Sequence, residues 1–485
     1  MNSGSLEVTL ATFCRWLFVV SMIATAQLCA AATRHYYIAA EDVTWEYAPS
    51  HHDLVHGTLL PLPWAAKTQC HKTRYFEYTD STFTAKKPQP DWLGILGPII
   101  RAEVGDEIVV DFLNRSASAH GMHPHGLRYD KDNEGAVYAP SGNGAMVDKD
   151  SHFIYHWFAD EKSGPGPDDP STVVWMYHSH VEPTAEADAG LMGPIIVTAK
   201  GNANPDGTPK DVDQEVVMMF MIFDELMGVD ARGFRPMTYF NRPGTDNTGL
   251  FYSINGYVFG NLPGILIKKG AKVRWYLLGM GSEKDIHTPH WHGETVRHNR
   301  RNTDVVELLP ASMTSVDMLA DNPGTWLFHC QVSDHMEAGM MATYTIYDPE
   351  DKRSCPLNFG AQRLWGGVDQ DLSITIENNS SKTINKVFLT SGNLLTPMDL
   401  QPSVLPWIST TPIAAKRELL LTVRNNLENS SALLGWVFYP RLIQYSDGSK
   451  WQPQHQGQCF QIYWRDKDHP DLPVLPPLQI EQNED

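Results

Sequence analysis

The sequence predicts an all-β chain: two tandem β-sandwich domains followed by a C-terminal β-rich domain. Three observations carry that expectation. Short runs of alternating apolar residues are broken by frequent Gly and Pro, with little helical periodicity. One pattern of strands and histidines occurs twice. From Cys355 onward the composition changes.

In chain order, residues 1–32 read as a secretory signal: Arg15, a short apolar run from Trp16 to Ala26, then Cys29-Ala30-Ala31-Ala32 as a small-residue exit. The run is too short to span a bilayer, and no other stretch could cross one, so the mature chain is expected outside the cell. Residues 33–203 form the first expected domain. His35 to Trp45 reads as a strand, and Leu96 to Phe112 alternates in the strand manner around a turn at Gly105. Residues 204–350 form the second, where Leu262 to Tyr276 repeats that pattern. Residues 351–485 form the third, with strands expected at Leu372 to Asn379 and Leu419 to Asn426 and a hairpin turn at Tyr445 to Ser449.

The repeat is sharpest at its histidines. His120, His123 and His125 recur as His287, His290 and His292, and His178-Ser179-His180 recurs as His329-Cys330-Gln331. Gly190-Leu191-Met192 mirrors Gly339-Met340. Residues two apart on a strand point to one side, so each His-x-His aims two imidazoles together.

The second copy holds more. Cys330, His335 five residues on and Met340 five after that, joined by His287, form a soft ligand set. Two His, one Cys and a weak axial Met are the ligands of an electron-transfer blue-copper site. A buried Cys is more often plain core packing, but four ligand types in this order are not. The first copy has Ser179 at the Cys330 position and no His or Met at the ligand spacing, so it lacks this site, and His120 is read as a remnant or as a residue supporting the ligands from behind, not as a ligand. On a strand Cys330 points opposite to His329 and Gln331, which joins a thiolate on one centre to an imidazole on another across a few bonds.

With these motifs, residues 35 to 348 resemble the multicopper oxidases, in particular the ceruloplasmin-like ferroxidases and two-domain laccases. The resemblance implies cupredoxin-like sandwiches, copper as cofactor (up to four per chain), dioxygen as acceptor and a reduced donor. It implies type 1 copper at His287, Cys330, His335 and Met340, and type 2 copper at His123 and His290. One type 3 copper would lie at His125 and His178, the other at His180, His292 and His329. The family's eighth histidine falls at Gln331, whose carbonyl is a harder, weaker donor. Because such clusters lie between two sandwich domains, the resemblance also implies a homotrimer.

For the donor, Asp334 matches one carboxylate of the ferroxidase iron site, or it orients His335. Asn247 and Tyr252 stand where those enzymes have Glu and His, so the iron site is incomplete and a phenol is the alternative donor. Glu294, Glu337 and Asp285 are further candidate oxygens, although most such acids are solvated. Cys330, His329 and Asp334 are the expected catalytic residues. A redox-impaired or non-catalytic copper-binding glycoprotein is the other reading, and Gln331 is the feature that favours it.

A net charge of -19 argues against nucleic acid and anionic membrane as partners. Cys355 and Cys459 bracket the last domain and are the expected disulfide, which leaves Cys70 free. Sequons at Asn114, Asn378, Asn379 and Asn429 agree with secretion.

Overall fold

The computed structural model describes residues 31–225 and 249–347, together with strands and turns between residues 357 and 464. The leader, Asn247, Asn379, Asn429 and the Cys355 and Cys459 pair lie outside the described residues.

Up to residue 198 the strands are β1 (Thr33–Glu46), a short β2 (His52–Asp53) and β3 (Thr58–Leu59), β4 (Gln69–Tyr78), β5 (Ile100–Glu103), β6 (Glu107–Asn114), β7 (His123–Pro124), β8 (His152–Phe158), β9 (Thr172–His178) and β10 (Met192–Thr198). They form two four-stranded sheets, β4-β1-β6-β8 and β5-β10-β9-β7. The next unit has β11 (Gln214–Asp224), β12 (Leu250–Ile254), β13 (Ile265–Lys268), β14 (Lys272–Gly279), β15 (Pro289–Trp291), β16 (Val296–His298), β17 (Arg301–Thr303), β18 (Met313–Leu319), β19 (Gly324–Cys330) and β20 (Met341–Tyr347). Its sheets are β12-β11-β14-β18, extended by β16 and β17, and β13-β20-β19-β15.

The four-stranded orders of the two units therefore repeat, down to one parallel pair in each sheet: β1 with β6 and β5 with β10, then β11 with β14 and β13 with β20. The duplication read from the histidines is a duplication of topology. Gly105 and Gly270 make the turns that carry the chain from one sheet to the other, β5 to β6 and β13 to β14, with φ of +106° and +84°, a region costly for any residue with a Cβ. Among the described residues each unit has a short α-helix, α1 (Pro183–Ala189) and α2 (Ser333–Glu337), in the loop after its site-bearing strand.

One apolar core runs through both units, joining Trp92, Leu93 and Ile95 to Met218, Phe220 and Ile254. Asn255, fully buried, crosses the junction. Its amide donates to Trp92 O (2.7 Å) and Val217 O (2.8 Å), and its carbonyl accepts from Met219 N (2.6 Å). Such a side chain is tolerated inside only because every polar atom is used.

After residue 356 the described strands form a three-stranded and a six-stranded sheet, so the C-terminal segment is β-rich as expected. Two sequons do not survive the fold as glycan sites. Asn114 is fully buried with its amide donating to Ser118 O (2.7 Å) and Val147 O (2.9 Å), and Asn378 is buried with bonds to Lys382 O and Ile413 O. A glycan there would have no path to solvent. Cys70 is free and buried, and burial first, then the nearby Glu225 carboxylate, raises its pKa to about 12.

Candidate metal centres

Pairing of β7 with β9 sets His123 opposite His178, and pairing of β15 with β19 sets His290 opposite His329. Both imidazole pairs are thus placed by sheet register. Beside each, the Gly of the His-x-His-Gly run has positive φ, and an aromatic ring packs where a Cβ would be: Trp175 on Gly126, Trp326 on Gly293.

Three donor groups result. In the second unit His287, Cys330 and His335 converge, with His335 Nδ1 3.6 Å and His287 Nδ1 3.9 Å from Cys330 Sγ and the two Nδ1 atoms 3.2 Å apart. Met340 is fully buried at the end of the same loop, its N–H bonded to His335 O. Burial raises the Cys330 thiol, but hydrogen bonds from His287, His335 and the Thr288 and Val332 amides outweigh it and bring the pKa to about 6. A thiolate is thus available near neutral pH.

His123, His125 and His178 form the second group, and His290, His292 and His329 the third. His125 Nε2 faces His178 Nε2 at 3.1 Å, and His292 Nε2 faces His329 Nε2 at 3.0 Å. Three rings have their other nitrogen committed elsewhere: His178 Nδ1–H donates to Ser179 O, His329 Nδ1–H to Cys330 O (both 2.8 Å), and His123 Nδ1–H to Glu134 O (2.6 Å). Each commitment leaves the Nε2 lone pair of that ring aimed inward, as metal-bound histidines require. Burial lowers these pKa values, to about 4 for His125 and about 3 for His178, so both rings are neutral at physiological pH. His180, against His123 and His178, has a buried Nδ1 with no hydrogen-bond partner among the described residues. Facing lone pairs and an orphaned buried nitrogen fit a metal, and the thiolate, imidazole and thioether set fits copper.

The sequence-predicted residues thus assemble, with two exceptions. The sets His123 with His290, and His180 with His292 and His329, draw on both units, yet among the described residues no donor group mixes the two. Each unit holds a half-site of its own. Gln331 occupies the position that mirrors His180, and its Oε1 accepts from His290 Nδ1–H at 2.8 Å.

Three acids read from the sequence need correction. Asp285 is not solvated: it is 1% exposed, its Oδ1 lies 3.2 Å from His287 Nε2, and it accepts from Ile222 N and Ser282 N. It fixes the His287 ring with Nδ1 toward Cys330 and is not free to bind iron. Burial would lower the His287 pKa, but Asp285 and Cys330 outweigh it and raise it. Glu294 is part-buried, with its Oε1 accepting from the Asp321 and Asn322 amides (both 2.9 Å). Asp334 is exposed on α2 and makes no bond to His335 among the described residues, so it does not orient that ring. Tyr252 packs against His335 with ring centroids 5.3 Å apart.

Residues 93–202 and 232–350 match two family models, each described as multicopper oxidase. Ferroxidase HEPHL1 of Homo sapiens is 35% identical over 374 residues, covering 72% of this chain and 32% of that protein. Ceruloplasmin of Rattus norvegicus is 36% identical over 337 residues, covering 65% of this chain and 32% of that protein. The solved blue copper oxidase from Nitrosomonas europaea matches at 22% identity and a TM-score of 0.42, covering 65% of this chain and 86% of that one. The chain spans about a third of the length of the curated relatives it matches. The histidine and cysteine segments of both units fall within the family matches, and the chain belongs to the multicopper oxidase family, whose cofactor is copper.

Proposed function

We propose that the chain is a secreted oxidase that takes single electrons from ferrous iron or a phenolic donor at His287, Cys330, His335 and Met340. His329 hands them to the histidine cluster, where dioxygen is reduced to water. Copper, when bound, supplies the one-electron couple at the first site and the multi-electron reduction of dioxygen at the second.

The observation that carries this reading is the junction at His329 and Cys330. Cys330 Sγ turns to His287 and His335 while the adjacent His329 turns to His292, so one peptide unit joins the two donor groups. The His329 Nδ1–H bond to Cys330 O adds a second connection in parallel. His335 is 7% exposed and His287 fully buried, which favours donor contact at the His335 edge, where exposed Asp334 and Glu337 lie on α2. His123 and His290 are assigned to the type 2 position; His125 with His178, and His292 with His329, to the two type 3 positions, with His180 completing the latter.

Completing that cluster requires the first half-site of one copy against the second half-site of another, and a homotrimer would close such a ring. Val137 and Tyr138, 42% and 52% exposed next to His180, would supply an apolar rim for the contact. Sedimentation of the copper-loaded protein tests this, and a monomer with full oxidase activity would contradict it.

The electron-entry assignment is tested by Cys330→Ser. The expected result is loss of the blue absorption and of all oxidase activity, and retained activity would remove the assignment.

A further inference from the structure

Glu186 is a charged side chain that the copper reading leaves without a task. It is 4% exposed, in α1, and its two oxygens face different segments. Oε1 lies 2.5 Å from His120 Nδ1, and Oε2 accepts from the Val181 and Glu182 amides at 2.9 and 2.8 Å. His120 opens the segment that carries His123 and His125, and Val181 directly follows His180. One carboxylate therefore ties together both segments of the first half-site. Ser179 Oγ makes a parallel tie by accepting the Gly121 amide at 3.0 Å, and the Tyr75 hydroxyl donates to Gly121 O at 2.5 Å.

The backbone identifies what Glu186 replaces. Leu191 N–H bonds to Glu186 O as Met340 N–H bonds to His335 O, and Ser179 N–H bonds to Leu191 O as Cys330 N–H bonds to Met340 O. Glu186 thus holds the His335 position, Leu191 the Met340 position and His120 the His287 position. In the second unit the same segments are joined by the β15–β19 pairing and by Gln331 N–H to Thr288 O, and the position of Glu186 is taken by His335, whose ring turns to Cys330 instead of tying the two segments by hydrogen bonds. A buried carboxylate is expensive to desolvate and persists where its lone pairs are all used.

We propose that Glu186 is a positioning residue: through His120 and the 181–182 amides, its carboxylate holds His123 and His125 at the spacing from His178 and His180 that copper needs. It does in the first unit what a metal would do in the second. This rests on the copper reading, and it means that the first half-site is held by a carboxylate tie in addition to the β7–β9 register.

The test uses the full chain and copper itself, with affinity at the histidine centres measured against a competing chelator and the blue absorption as an internal reference. Glu186→Leu, close in volume but without hydrogen bonds, should bind copper at those centres about 10- to 100-fold more weakly, the range for lost partners of metal ligands. The blue absorption per chain should be unchanged, and Glu186→Gln, which keeps an acceptor, should recover most of the affinity. Unchanged affinity in the Leu variant, or a Gln variant as weak as Leu, would overturn the proposal. If Glu186→Leu also loses the blue absorption, His120→Phe removes the tie from its other end. Weak copper binding with the blue absorption intact would then support the proposal; unchanged binding, or loss of both signals, would overturn it. A wild-type chain that binds no copper would instead defeat the reading on which the proposal rests.

Discussion

The two units share a backbone and differ in what fills one pocket. In the second, His287, Cys330 and His335 leave nitrogen and sulfur lone pairs facing one another, with Met340 buried at the end of the same loop. In the first, His120, Ser179, Glu186 and Leu191 occupy the corresponding positions, and the polar atoms satisfy each other by hydrogen bonds. Equal backbone bonding with opposite side-chain outcomes shows that the sandwich does not itself make the metal site. The site is made by which side chains are left without partners.

The strongest way to break this comparison is to exchange the sulfur position. Cys330→Ser should erase the blue absorption completely, whereas Ser179→Cys should create none, because Glu186 and Leu191 stand where the second unit has His and Met. Blue absorption arising from Ser179→Cys, measured in the Cys330→Ser background, would contradict the account.

Asp285 sharpens it next. As the hydrogen-bond partner of His287 Nε2 it has no counterpart among the partners of His120, and Asp285→Ala should weaken copper at the Cys330 site by about 10- to 100-fold while leaving the half-sites loaded. Asp285→Asn, which can still accept, should lose less; equal losses in titrations followed by visible absorption would argue against an orienting bond.

Gln331 tests the asymmetry of the half-sites. Gln331→His restores the match to His180 and should raise copper content and turnover several-fold, read by metal analysis and oxygen uptake. No change in either would mean that Gln331 does not limit the cluster. The smallest effect belongs to Asp334→Asn. Because Asp334 is exposed and bonded to no ligand among the described residues, the blue absorption should be unchanged and the KM for ferrous iron should rise by about two- to fivefold, the scale of one solvent-screened charge. An altered absorption would place Asp334 on the ligand set after all.

Much of this was legible before any coordinates. The alternation around Gly105 and Gly270 marked corresponding turns, and the repeated His-x-His runs named the half-site residues because strand geometry forces side chains two apart onto one face. What escaped was what depends on longer loops or on burial. Glu186 lies seven residues after Ser179 whereas His335 lies five after Cys330, so no fixed spacing relates them, and only the bonds from Leu191 and Met340 reveal the match. Asp285 looked like a solvated acid because sequence does not report that Ile222 and Ser282 present amides to it. Asn114 carried a sequon whose meaning reversed once its amide was found inside the fold. The contact between Gln331 and His290 crosses from β15 to the end of β19, a register the sequence does not state.

The most direct measurement is the visible absorption of the copper-loaded chain when ferrous iron is added without oxygen, followed by readmission of air. The account predicts that the blue colour bleaches with iron or, failing that, with a phenol, and returns as oxygen is consumed. Blue colour that neither donor bleaches, or that bleaches and does not return in air, would contradict electron transfer from Cys330 through His329 to the histidine cluster.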